Sequence, residues 1–190
     1  MSMFNHLVLG CFFDETKITL ADGSVRPLKS LTNVDEVLVY SSIGKLVKSR
    51  ILTVFHHQHS SVRFLDIYTT NNNEPLRLTP MHSILTQTNS NDRASFEYKF
   101  ANQISIGDWI LSSKLHPVQV TNIEEIRLFN QTISTPLTFE GNIIANQLIS
   151  SCYATLNHKL MHFISTPLRY WYQMKPLSQL NSFLIHFIDF

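Results

Sequence analysis

The feature that most constrains this chain is its division into short β-branched and aromatic runs, each closed by a turn signal. Residues 17–20, 36–40, 46–55, 62–69, 76–79, 109–112, 118–127 and 141–145 read as strands. Asp22-Gly23, Ser41 to Gly44, Asn71 to Pro75, Asn89 to Asp92 and Gly107-Asp108 read as the turns between them. Many short strands at this spacing predict an all-β domain. Only 5 of the 190 residues are glycine, so the turns lean on Asn, Asp and Ser.

A weak repeat organises these runs. Leu28-x-x-Leu31 is followed by Asp35 and then Val37-Leu38. Ala101-x-x-Ile104 is followed by Asp108 and then Ile110-Leu111, each position 73 residues after its equivalent. A turn with an i, i+3 apolar pair leads in each copy through an acidic turn into a strand. Either two similar units coincide, or a subdomain is duplicated about a pseudo-two-fold axis. After Tyr153 the pattern changes. Residues 157–174 carry Leu160, Met161, Phe163, Ile164, Leu168, Trp171 and Tyr172 at helical spacing, with an interruption expected at Pro167. The apolar end, residues 183–190, either completes the core or faces lipid or a partner.

Charge excludes several functions. Charged residues make up 15% and the net charge is +1, so no strong pull on nucleic acid or an anionic membrane is expected. No run reaches the length of a membrane-spanning helix. Residues 1–10 lack a basic start and a full apolar stretch, so they do not form an ordinary signal peptide. The expectation is a protein outside that route or a piece of a longer precursor. Two cysteines allow at most one disulfide, while nine histidines are many for this length.

Three groups could carry chemistry. Cys11 directly follows Gly10. It is either a small buried hydrophobe or a nucleophile that attacks the preceding carbonyl through a five-membered ring. In Leu78-Thr79-Pro80-Met81-His82 a hydroxyl and an imidazole can flank one peptide bond. Thr79 would hold the amide and His82 would protonate the departing nitrogen, unless the segment is simply a surface strand end. Cys152, in Ser151-Cys152-Tyr153-Ala154, is a core cysteine or a second thiol able to pair reversibly with Cys11.

Taken in order, Gly10-Cys11-Phe12, Thr79-Pro80-Met81-His82, Ala101 to Asp108, Pro136-Leu137-Thr138 with Glu140-Gly141, and Ser151-Cys152-Tyr153-Ala154 are familiar. They resemble the Hint-type C-terminal autoprocessing domain of Hedgehog proteins, a branch of the superfamily that includes inteins. The resemblance implies an all-β Hint fold of two related subdomains with a short, partly helical C-terminal extension. It divides the chain into a remnant of an upstream segment (1–10), the autoprocessing domain (11–154) and a sterol-recognition-like tail (155–190). It implies cleavage at Gly10–Cys11, with Cys11 as nucleophile, Thr79 and His82 activating the amide, and Cys152 as the second thiol. It also implies a sterol or other lipid alcohol as acyl acceptor, no cofactor, the chain's own N-terminal segment as substrate, a monomer and the secretory pathway. A non-catalytic Hint-like module that binds lipid or a partner is the competing expectation.

One stretch departs from the family. Where Hedgehog proteins carry an aspartate that assists the sterol hydroxyl, the best alignment here places His56, with His57 one step away. A histidine can act as base toward a hydroxyl or water. Hydrolysis, or transfer to another alcohol, thus joins sterol transfer as an expected outcome. His56-His57-x-His59 is otherwise a polar turn or part of a metal site, although alternating strand side chains cannot all face one ion. His158 and His162 read as an exposed or packing pair. Asn130-Gln131-Thr132 is a glycosylation sequon, with meaning only in the secretory route.

Overall fold

The computed structural model describes residues 11–70, 72–88, 95–154 and 157–174. The expected cleavage residue Gly10, the remnant 1–10 and the apolar end 183–190 lie outside the described residues. The described chain is built from β1 (Phe12–Phe13), β2 (Lys17–Thr19), β3 (Val25–Pro27), β4 (Glu36–Tyr40), β5 (Leu46–Thr69) and β6 (Asn72–Leu78). These are followed by β7 (His82–Thr88), β8 (Ser95–Phe100), β9 (Trp109–Leu111), β10 (Pro117–Thr138), β11 (Asn142–Ala145) and β12 (Leu148–Ala154). Helices α1 (His158–Ile164) and α2 (Thr166–Met174) come last. The class is all-β, as the turn-punctuated runs predict.

The 73-residue repeat is physical. Short 3₁₀ turns form at Leu28–Ser30 and Ala101–Gln103, entered by Pro27 (φ −66, ψ 141) and Phe100 (φ −66, ψ 145). Leu28 and Ala101, the first apolar members of each pair, are buried and pack into one core. The acidic residue does the same work in both copies. Asp35 Oδ2 accepts from Thr32 N at 2.7 Å, and Asp108 Oδ2 accepts from Ser105 N at 3.1 Å. The Asp35 carbonyl takes Ile51 N–H at 2.9 Å and the Asp108 carbonyl takes Val120 N–H at 2.8 Å. Each aspartate thereby closes the turn and launches an antiparallel pair, β4 with β5 and β9 with β10.

The largest departure from the sequence reading is in β5 and β10. The strands expected at 46–55 and 62–69 are one 24-residue strand, and the strand expected at 118–127 runs on to Thr138. The two pair antiparallel along most of their length, from Val120↔Thr69 to Thr138↔Ile51. Strands β7 and β8, absent from the expected set, form a hairpin from Ser83↔Phe100 to Thr88↔Ser95. Strand β1 is wedged between β10 and β6, with Phe12 opposite both Ser134 and Leu78.

Strands end at Ala154 and the helices follow. Asn157 caps α1, its side chain accepting from Lys159 N at 2.9 Å. The helical stretch breaks at Ser165, not at Pro167. Pro167 is the second residue of α2, where its missing N–H costs nothing. Tyr172 of α2 packs with Leu52, Leu137 and Tyr153, which fastens the helices to the β-domain.

Candidate active site

Cys11 sits just before β1, and Thr79 just after β6, so the pairing of these strands brings them together. The Cys11 N–H donates to Thr79 Oγ1 at 3.2 Å, and the Thr79 N–H donates to the Cys11 carbonyl at 3.2 Å. The His82 N–H donates to the Thr79 carbonyl at 3.0 Å. Thr79-Pro80-Met81-His82 is therefore a β-turn with proline at its second position, where the ring pre-sets the backbone angle. This turn places a hydroxyl on the nitrogen of the peptide bond that joins Cys11 to residue 10.

His82 is fully buried. Its Nε2 lies 2.7 Å from the Ser151 carbonyl. A carbonyl only accepts, so Nε2 carries the proton and Nδ1 holds the lone pair. That Nδ1 is buried and has no hydrogen-bond partner among the described residues. The Phe12 ring packs on the imidazole, centroids 4.1 Å apart. Burial pushes the His82 pKa down to about 4, only partly opposed by the Ser151 carbonyl. Cys11 is buried too, and burial pushes its thiol up to about 11. A bond between Sγ and Thr135 Oγ1 at 3.2 Å opposes that shift, and the charge of Asp14 adds to it. At neutral pH the pair thus rests as thiol and neutral imidazole.

Strand register separates the histidines that the sequence left adjacent. Phe13 opposes Ile133, which opposes His57 on its other side. Phe12 opposes Ser134, which opposes His56. Cys11 packs in one cluster with Phe13 and Ile133, so alternation puts His57 on the face of the thiol and His56 on the opposite face. His56 instead joins a polar chain: its Nδ1 meets Ser134 Oγ at 2.7 Å, and Ser134 Oγ donates to Asp14. The His57 Nε2 is buried with no hydrogen-bond partner among the described residues. Burial, followed by the neighbouring His59 and His56 charges, lowers its pKa. A cleft of about 230 Å³ opens beside Thr79, lined in part by His59, Val62, Arg63, Met81 and Ile133.

Cys152 is buried, as is Cys11, and the two are not joined in a disulfide. The two pack in different clusters, and Cys152 Sγ lies 3.7 Å from Thr138 Oγ1. Burial pushes the Cys152 thiol up to about 12. His158 and His162 stack, ring centroids 5.6 Å apart, which is the packing arrangement and not the exposed one. Asn130 is exposed, with a left-handed φ of 50°. Sequence reasoning missed Thr135, Ser134, Asp14 and Ser151 as contacts of these groups. Ser151 alone carried a signal, as the first residue of the Ser-Cys-Tyr-Ala run.

A family model described as the Hint module matches residues 2–183. The Sonic hedgehog protein of Xenopus laevis is 30% identical over 166 residues, covering 85% of this chain and 37% of that protein. The Tiggy-winkle hedgehog protein of Danio rerio is 29% identical over 165 residues, 84% of this chain and 39% of that protein. The chain thus spans well under half the length of these curated relatives. Among solved structures, a bacterial intein-like domain from Clostridium thermocellum superposes with a TM-score of 0.60 at 14% identity, covering 74% of this chain and 97% of its own. A DnaB intein from Synechocystis sp. gives 0.59 at 17% identity, covering 77% and 99%. At these identities the likeness is one of fold.

Proposed function

The chain belongs to the Hint family, and from that premise we propose that it cleaves its own backbone between Gly10 and Cys11. The single observation that carries this reading is the Thr79 hydroxyl on the Cys11 N–H, beside a buried imidazole with an unused lone pair. The thiol proton of Cys11 passes to His82 Nδ1. Sγ bonds to the Gly10 carbonyl carbon, the bond from that carbon to the Cys11 nitrogen breaks, and His82 returns the proton to the freed amine. Thr79 holds the nitrogen in place until it leaves. The product is a thioester on Cys11 and a free Cys11 amine. Attack and departure occur within one buried site, so no encounter with a second molecule is needed.

An acceptor hydroxyl then resolves the thioester. The acyl carbon moves from Sγ to the acceptor oxygen, the hydroxyl proton goes to His57, and His57 passes that proton to the departing thiolate, which restores both groups. We assign this role to His57 over His56 because His57 shares the face of Cys11 and keeps a buried nitrogen with no hydrogen-bond partner among the described residues. The acceptor is a sterol or other lipid alcohol, or water, and it enters through the cleft beside Thr79. The reaction needs no cofactor, acts on the segment upstream of Cys11, belongs to a monomer and fits the secretory pathway of Hedgehog-like proteins.

A carrier fused upstream of Gly10 tests this. Dithiothreitol should release the carrier by intercepting the thioester, and Cys11→Ala should not respond. A folded fusion that stays intact, or equal release from Cys11→Ala, would overturn the reading. His57→Ala should spare release by dithiothreitol and slow release by the natural acceptor. His56→Ala should leave both steps close to the parent rate. The reverse pattern would assign the second step to His56.

A further inference from the structure

The carbonyl that orients His82 comes from an irregular part of β12. Strand β12 pairs with β7 at Ser150↔Ile84 and again at Ala154↔His82. Between these pairs β12 advances four residues while β7 advances two. Ser151, Cys152 and Tyr153 must therefore bow out of the ladder, and such bulges re-aim backbone groups. Here the irregularity is confined to the β7 side, Ser151 staying opposite Asn142 of β11, and the Ser151 carbonyl meets His82 Nε2.

Several bonds hold the bulge. Ser151 Oγ accepts from the Tyr153 N–H at 2.8 Å, and Cys152 N–H donates to the Gly141 carbonyl at 2.8 Å. The Ser151 hydroxyl also meets His158 Nδ1 at 2.8 Å. His158 is the first residue of α1 and is buried, its ring stacked on Tyr98 with centroids 3.7 Å apart. Tyr153 is pinned in turn by Ser165, whose hydroxyl donates to the Tyr153 oxygen at 2.8 Å, and by His162 Nδ1 at 3.2 Å. The C-terminal helices thus grip the bulge at both ends.

We infer that His158 is a positioning residue for His82. Through the Ser151 hydroxyl it fixes the bulge that presents the Ser151 carbonyl, and that carbonyl holds the imidazole with its proton on Nε2 and its lone pair on Nδ1. The helical tail then belongs to the thioester-forming step, and is more than a dock for the acceptor. The inference rests on the self-cleavage reading for its rate arm only.

The test uses the full chain with its upstream carrier and compares His158→Leu with His158→Asn, whose amide can replace the ring nitrogen on Ser151. Two quantities are read: release by saturating dithiothreitol, and the ¹⁵N NMR signature of the His82 ring. The parent should show one tautomer, protonated on Nε2. His158→Leu should slow release about tenfold, the low end of what losing an outer partner of an orienting contact costs, and should mix the tautomers. His158→Asn should restore the single tautomer and most of the rate. A leucine variant with parental rate and tautomer would overturn the inference. So would slow release with the tautomer unchanged, or an asparagine variant no better than leucine. A parent that never cleaves would sink self-cleavage instead, and the tautomer comparison would still decide the role of His158.

Discussion

Removing the imidazole of His82 should change how self-cleavage depends on pH, and not only its rate. In the mechanism proposed above, the reactive state is a Cys11 thiolate with a His82 imidazolium. Burial sets the thiol at about 11 and the imidazole at about 4. The gap of about seven pH units puts the cost of moving the proton between them at no more than about 10 kcal/mol, at about 1.4 kcal/mol each, and the attraction of the two opposite charges lowers it. A cleavage rate of about 10⁻³ per second corresponds to a barrier of about 21 kcal/mol. At least about 11 kcal/mol then remains for forming the carbon–sulfur bond, so the internal transfer is affordable. The proton that leaves sulfur is the one the ring gains, so the population of this pair does not depend on pH between about 4 and about 11. The rate of carrier release, measured where it no longer depends on dithiothreitol concentration, should be flat across that window. In His82→Ala hydroxide must take the proton, and the rate should be far lower and climb about tenfold per pH unit. A tenfold climb per unit in the unsubstituted protein would refute internal transfer. A flat profile in His82→Ala would refute the assignment of His82.

Thr79→Val keeps the shape but removes the acceptor at the buried Cys11 N–H, so release should slow about tenfold and urea unfolding should lose about 1–3 kcal/mol; an unchanged rate would remove Thr79 from the reaction. Gly141→Ala places a Cβ 2.5 Å from both Tyr153 Cε2 and His162 Nδ1 at a φ of +71°, so it should cost about 1–3 kcal/mol in urea unfolding. A neutral result there would contradict the packing of α1 on β12. Acid should destabilise the fold through its buried histidines. His82 and His158 have folded pKa values of about 4 and about 3, below the 6.5 of the free ring, so the unfolded chain binds protons that the folded chain refuses. Their contribution is complete above about pH 6.5 and is lost as pH falls toward about 4. The urea midpoint should drop over that interval, less steeply in His158→Asn, and a midpoint flat down to about pH 4 would contradict neutral burial.

Much of the fold was legible because it rests on local chemistry. Asp35 and Asp108 close equivalent turns, and a 73-residue offset between two aspartates is visible without coordinates. Thr79 and His82 were legible for the same reason, since a Thr-Pro-x-His turn is closed by its own residues. The ribbon of β5 and β10 was not, because its stability comes from a partner strand far away in sequence. Segment 56–61 looks like a polar turn until residues 129–134 are laid beside it. The same non-local register decides which of His56 and His57 shares the face of Cys11. A shift of one residue reverses the face of every side chain, and nothing near those two histidines fixes it. His158 was invisible as a contact of Ser151 because the link depends on a bulge, and bulges leave little trace in a hydrophobic pattern.

Attack by Cys11 on the carbonyl of Gly10 is tested most directly by the intact mass of the released N-terminal fragment. With dithiothreitol present, the fragment should end at Gly10 and carry dithiothreitol as a C-terminal thioester, while the remaining chain should begin at Cys11. A fragment ending at any other residue, or the same fragment from Cys11→Ala, would rule out Cys11 as the nucleophile at Gly10.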